Sequence, residues 1–262
     1  MTSKYALITG ATFGIGYELV KLFASDRHNL ILIARDKTRL NELSIELNEK
    51  YKIEIITIEK DLSILDSAKE VFEQINQKNL PVEFLVNNAG FGLRGKFCEN
   101  DLKTELEMIQ LNITSLVQLT KLFLPKMIEN KGGKIMNVAS TAAFQSGPFM
   151  SIYYASKAFV LSFSESLDSE LKGTGVTSTA FCPGPTKTKF FTRAEMENIT
   201  LVKNKIIAPM TAEKAARIGY KGMMKGKRIV IPGLMNHIGV LSVKFVPRKI
   251  VTSIIRLINS EI

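Results

Sequence analysis

Tyr5-Ala6-Leu7-Ile8-Thr9-Gly10-Ala11-Thr12-Phe13-Gly14-Ile15-Gly16 decides how the rest of the chain is read. Tyr5–Thr9 is an apolar run of strand length, and a helical period runs from Gly14 to Asp26. Gly10, Gly14 and Gly16 therefore follow a strand and open a helix. Glycines at such a junction let a backbone approach a pyrophosphate. The helix N-terminus adds free N–H groups and the positive end of a dipole. Thr12, Phe13 and Ile15 belong to the same phosphate-facing loop.

Outward from this unit the same alternation repeats. Hydrophobic patterning predicts strands over 29–34, 53–58, 84–87, 134–138, 176–182 and 227–231. It predicts helices over 37–51, 64–78, 103–131, 153–172 and 212–225. Strands alternating with helices mean βαβ units and a doubly wound parallel sheet, a Rossmann-like α/β fold. Nearly continuous apolar runs such as Leu30-Ile31-Leu32-Ile33 suit strands covered on both faces. We expect one catalytic domain over 1–233 and a C-terminal extension over 234–262. Ligands of such sheets bind at the strands' carboxyl ends, which points to the loops after Thr9, Ala34, Asn87, Val138 and Cys182.

The chain has 262 residues, 45% hydrophobic and 23% charged, as an ordinary soluble protein does. Its net charge of +10 is local: residues 203–262 hold 12 Lys/Arg and 2 Asp/Glu, and the first 202 residues balance. A general nucleic-acid surface is a poor explanation of that pattern. Two cysteines and two histidines supply neither a disulfide framework nor a zinc set. Cys98 and Cys182 read as small buried hydrophobes in a reducing compartment, consistent with a cytoplasmic protein. With strand-like sequence from Tyr5 onward, no signal peptide is expected. The uncharged stretch from Ile229 to Val243 falls short of the ~18 apolar residues of a membrane span.

The other strand ends carry distinct chemistry. An acidic residue closing the second strand would accept from an adenosine ribose, whereas an Arg just beyond it suits a 2′-phosphate. Ala34 holds that position and Arg35 follows, which favours NADP(H). Asp36 keeps NAD(H) open if the strand runs further, and Arg39 is either an assistant or a solvated helix residue. Asp61-Leu62 either meets the adenine edge or caps a helix. Asn88-Ala89-Gly90 is small and flexible where a backbone would pass a cofactor. Tyr153 and Lys157 share one helix face, where an ammonium is expected to lower the phenol's pKa.

In order and spacing these motifs resemble the short-chain dehydrogenase/reductase family: Thr-Gly-x-x-x-Gly-x-Gly, Asn-Asn-Ala-Gly and Tyr-x-x-x-Lys. With Pro183-Gly184 the likeness runs from Thr9 to Thr188. It implies Tyr153 as general acid/base and Lys157 as its modulator and a ribose ligand. It implies Ser140 as the hydroxyl that polarises a carbonyl, and Asn112 as the holder of a relay water. Pro183, Gly184, Thr186 and Thr188 match the turn that meets the nicotinamide, although the family usually has an aliphatic residue at the Thr186 position. The resemblance implies an NADPH-dependent carbonyl reductase, dimeric or tetrameric. A non-catalytic NADP-binding scaffold is the alternative, and the complete catalytic set argues against it.

A lid is expected over 189–209, carrying Phe190, Phe191, Met196, Leu201 and Ile206. Phe144, Phe149 and Met150 add to an apolar pocket for a ketone, aldehyde or 3-oxoacyl compound. Lys187, Lys189 and Arg193 are either ligands of an anionic head group or solvated charges. Pro247 is placed to start a helix whose apolar stripe is Ile250, Val251, Ile254, Leu257 and Ile258. That stripe packs on the body or a second subunit, or lies on an anionic membrane. Reductases of the family with such a basic, apolar end include some that act on lipid-like substrates.

Overall fold

The computed structural model describes residues 4–188 and 209–260. Seven parallel strands form one sheet in the order β3-β2-β1-β4-β5-β6-β9. They are β1 (Tyr5–Thr9), β2 (Asn29–Ala34), β3 (Ile55–Glu59), β4 (Val82–Asn87), β5 (Gly133–Val138), β6 (Val176–Phe181) and β9 (Ile229–Val230). A second, two-stranded sheet pairs β7 (Thr186–Lys187) with β8 (Met210–Thr211), and the sequence reading did not anticipate it. The strand order reverses between β1 and β4, so their carboxyl ends border the crevice where α/β sheets bind ligands.

Both faces are covered. Successive side chains of a strand point to opposite sides. Ala6, Ile8, Leu30 and Leu32 enter one core with Leu19, Phe23, Leu43 and Met223. Those partners come from α1 (Gly14–Ser25), α2 (Lys37–Tyr51) and the helix Ala212–Met224. Leu7, Ile31 and Ile33 enter the other core with Val71, Leu119 and Leu167. These belong to α3 (Ser67–Gln77), α5 (Ser115–Glu129) and α6 (Ser151–Glu170). Phe23 and Tyr220 meet edge-on at 4.8 Å, and the Tyr220 hydroxyl donates to Asp26 at 2.6 Å, pinning α1 to the helix Ala212–Met224.

Several boundaries differ from expectation, each for a local reason. The third strand starts at Ile55, because Asn48 and Asn29 side chains bond the Ile53 carbonyl and the Glu54 N–H just before it. α3 starts at Ser67, because Asp66 stands in the left-handed region at φ +64° and leaves Ile64 and Leu65 exposed. The helix expected over 103–131 is α4 (Leu102–Ile109), a π-turn (Gln110–Thr114) and α5. Pro125 is carried inside α5. The last strand shrinks to Ile229–Val230. Cys98 is exposed, in the connection between β4 and α4, whereas Cys182 is buried.

Candidate active site

The Gly-rich turn is held from below. Gly10 has φ +64°, which a side chain would strain. A Cβ on Gly16 would lie 2.2 Å from the Gly10 carbonyl oxygen, so only glycine lets α1 start this close to β1. Thr9, which the sequence reading passed over, fastens the neighbouring loop. Its Oγ1 accepts from the Asn88 and Ala89 N–H groups at 2.9 Å, and Asn88 Nδ2 donates back to the Thr9 carbonyl at 2.9 Å. Asn88 is therefore a brace between two strand ends as well as part of the cavity wall.

A cavity of about 580 Å³ runs along the carboxyl ends of the strands. Gly10, Thr12, Phe13, Gly14, Ile15, Arg35, Asp61, Leu62, Asn88, Ala89 and Gly90 line one part of it. Ser140, Tyr153, Lys157, Pro183, Gly184, Thr186 and Thr188 line it as well. Among the expected catalytic and cofactor residues, Gly16 and Asn112 do not line it. Asn112, on the π-turn and 1% exposed, gives both amide protons to protein partners: Phe91 O at 3.0 Å and Ser156 Oγ at 3.1 Å. Its oxygen accepts the Phe91 N–H at 3.2 Å. In this arrangement its side chain braces the Gly90–Phe91 wall, and π-turns recur where helices carry functional groups.

β2 ends at Ala34, so Arg35 is the first residue past the strand. Asp36 is committed elsewhere: its carboxylate accepts the Arg39 N–H at 2.9 Å and caps α2. Arg35 makes an exposed ion pair with Asp61 at 3.4 Å. Asp61 neither caps α3 nor stands free. Partial burial raises its pKa, but hydrogen bonds from Ser63 and the Arg35 charge bring it below the ordinary value.

Ser140, Tyr153 and Lys157 converge at the end of β5. Ser140 opens a 3₁₀ turn (Thr141–Phe144), its Oγ accepting the Ala142 N–H at 3.1 Å. Lys157 Nζ donates to the Val138 carbonyl at 2.8 Å and lies 5.9 Å from the centre of the Tyr153 ring. The expected lowering of the phenol's pKa is not what the site does by itself. Burial pushes Tyr153 up to about 12, against a hydrogen bond with Ser140 that pulls it down. Burial also lowers Lys157 to about 8, against a small upward effect of Cys182. At neutral pH the site thus holds a protonated phenol beside an ammonium. Tyr154 belongs to another partner: its hydroxyl lies 3.4 Å from Asn259 Nδ2.

These residues fit a dinucleotide: a glycine cradle at a helix start, a guanidinium past β2, and a Tyr–Lys pair, all lining the same cavity. Thr186 does not disturb the fit, since its hydroxyl donates to the Gly184 carbonyl at 2.9 Å. Met150 lines the cavity; Phe144 and Phe149 do not. The lid residues Lys189, Phe190, Phe191, Arg193, Met196, Leu201 and Ile206 lie outside the described residues.

The missed wall is C-terminal. A helix over Leu234–Ser242 was not expected, although Leu234, Ile238 and Leu241 at helical spacing signal it. It contributes Met235, Gly239 and Val240 to the cavity, and the helix Arg248–Asn259 contributes Val251, Ile255 and Ile258. Asn259, 2% exposed, donates to the Pro148 carbonyl at 3.0 Å, while Arg94 Nε donates to the Asn259 carbonyl at 3.0 Å. Polar contacts more than a hundred residues apart, such as these, leave no trace in local pattern.

Comparison with known proteins agrees with this geometry. The family model for short chain dehydrogenase matches residues 4–198. The very-long-chain 3-oxoacyl-CoA reductase-B of Danio rerio is 35% identical over 190 residues, 71% of this chain and 60% of that protein. The chain thus spans about 60% of that relative's length. A short-chain dehydrogenase from Sphingobium yanoikuyae solved with NADPH superposes with a TM-score of 0.82 at 29% identity, over 97% of this chain and 96% of the other. The bulky-bulky ketone specific alcohol dehydrogenase of Comamonas testosteroni gives 0.78 at 29% identity, over 96% and 94%.

Proposed function

Because the chain belongs to the short-chain dehydrogenase family of oxidoreductases, we propose that it uses NADPH to reduce the carbonyl of an apolar ketone, aldehyde or 3-oxoacyl compound to an alcohol. The observation that carries this reading is the meeting of Ser140, Tyr153 and Lys157 at the end of β5, in a cavity also lined by Val251, Ile255 and Ile258. The family binds a nicotinamide cofactor, which when bound supplies a hydride to the carbonyl carbon. Tyr153 gives its proton to the carbonyl oxygen, and a phenol held protonated by burial is suited to that direction. Ser140 donates a hydrogen bond to the same oxygen as charge develops on it. Lys157, fixed on the Val138 carbonyl, keeps a positive charge beside the phenol to stabilise the phenolate left behind.

Arg35 supports NADP(H) over NAD(H), since the exposed Arg35–Asp61 pair is weak enough to exchange for a 2′-phosphate. The names of the Danio and Comamonas relatives suit an apolar carbonyl. Family members are typically oligomeric, and a homodimer or homotetramer is the assembly we propose.

The test is NADPH oxidation against ketones, aldehydes and 3-oxoacyl compounds of increasing chain length, with Tyr153→Phe as the control. Turnover is expected to rise with apolar length and to vanish in the variant, while NADPH binding survives. A variant that kept near-wild-type reduction would sink the assignment.

A further inference from the structure

The two C-terminal helices divide their apolar side chains between two faces. Val251, Ile255 and Ile258 turn inward to the cavity. Ile250 and Leu257, one position earlier, turn outward and are 51% and 68% exposed, and Ile254 between them is 51% exposed while also bordering the cavity. The expected single stripe is therefore two stripes, about 100° apart on the helix. On the preceding helix and its end, Leu234, Ile238, Leu241 and Phe245 are also exposed. Eight of the sixteen exposed large apolar side chains among the described residues fall between Leu234 and Leu257. Monomeric soluble surfaces rarely concentrate apolar area in this way without a partner.

The charge of the segment says what that partner is. Lys244, Arg248, Lys249 and Arg256 are exposed among these apolar side chains, and no Asp or Glu occurs from Leu234 to Ser260. A second copy of this face would set cations against cations. An anionic lipid surface complements both the charge and the apolar side chains. Among the described residues no helix is long and apolar enough to cross a membrane, so the helices would lie along it. Met235 and Ile254 are both exposed and part of the cavity wall, so apolar surface continues from the cavity out to this face.

We propose that the face formed by residues 234–257 docks on an anionic membrane surface, with the cavity opening toward the bilayer as the entry for an apolar substrate. The entry route rests on the proposed function; the docking does not.

Vesicle flotation of the full chain tests it, with phosphatidylcholine vesicles prepared with and without phosphatidylserine. The protein is expected to float with the phosphatidylserine vesicles. Phe245→Gln with Ile250→Gln and Leu257→Gln is expected to stop flotation while melting at the wild-type temperature. Lys244→Glu with Lys249→Glu should weaken binding about tenfold or more on anionic vesicles, each charge being a several-fold effect at such surfaces. Three results would overturn the proposal: a wild-type chain that does not float, a triple Gln variant that floats as well as wild type, or a variant whose only change is a smaller oligomer in lipid-free buffer. Absence of turnover on every carbonyl would overturn the proposed function and leave the flotation result intact.

Discussion

Lys157 Nζ donates to the carbonyl oxygen of Val138 at 2.8 Å, tying the middle of α6 to the last residue of β5. The ammonium is therefore positioned by the sheet as well as by its own helix. Replacing it with Met keeps the volume of a 5%-exposed side chain and removes the charge. Lys157→Met is expected to cost ~10²–10³ in turnover, the scale of losing one electrostatic stabiliser, and to weaken NADPH binding as well. Steady-state kinetics with a fluorescence titration of NADPH would separate it from Tyr153→Phe, which loses turnover alone.

The pKa values of this pair give a pH dependence with a definite sign. Lys157 titrates near 8 in the folded chain and at 10.5 ordinarily. Between those values the unfolded chain holds more protons, so stability rises with pH across that window. Tyr153 is raised from 10.0 to about 12, so from pH 10 upward its contribution is lost and the trend reverses. Urea midpoints are expected to climb from pH 8 to 9 in the wild type and not in Lys157→Met; above pH 9 the buried Cys182 thiol, raised from 9.0 to about 12, opposes the climb. Activity moves the other way: kcat/KM for reduction should fall above about pH 8, where the free enzyme loses its ammonium.

Arg35 and Asp36 are adjacent yet have separable roles. Arg35→Ala is expected to raise the KM for NADPH about tenfold or more and to leave that for NADH nearly unchanged, because only a 2′-phosphate needs the guanidinium. Asp36→Ala should instead cost about 1 kcal/mol of stability by removing the α2 cap, with the cofactor ratio preserved. Equal loss of both cofactors in Arg35→Ala would count against the NADP(H) preference.

Asn259 fastens the end of the C-terminal helix to the loop before α6 through Pro148, and to α6 itself through Tyr154. Asn259→Ala leaves those groups short of a buried partner, a cost of about 1–3 kcal/mol. Hydrogen exchange should speed up over residues 248–260 and spare β1–β6. The KM for a long apolar carbonyl should rise more than that for a short one, since the helix lines the cavity with the apolar side chains of Val251, Ile255 and Ile258.

Much of this was legible from residue order. β1, β2 and α2 fall where the periodicity puts them, because two-sided burial makes strands continuously apolar and helices keep a 3.6-residue stripe. The Gly-rich turn and the Tyr-x-x-x-Lys pair were legible for a related reason: a tight turn and a shared helix face are local geometry. The start of α3 and the π-turn were not. Their shapes depend on Asp66 in a left-handed conformation and on Asn112 reaching across to Phe91, 21 residues away.

By itself, then, the sequence determined the parallel α/β sheet, the phosphate-binding turn and the Tyr153–Lys157 pair on one helix face. Period and spacing are short-range quantities, and those features depend on little else. Tertiary structure alone decided three things. It set Tyr153 high and Lys157 low, because desolvation depends on everything packed around a group. It removed Asn112 from the cavity wall. And it split the C-terminal apolar stripe between an inner wall and an outer face, because which side of a helix is covered depends on where the rest of the chain comes to lie.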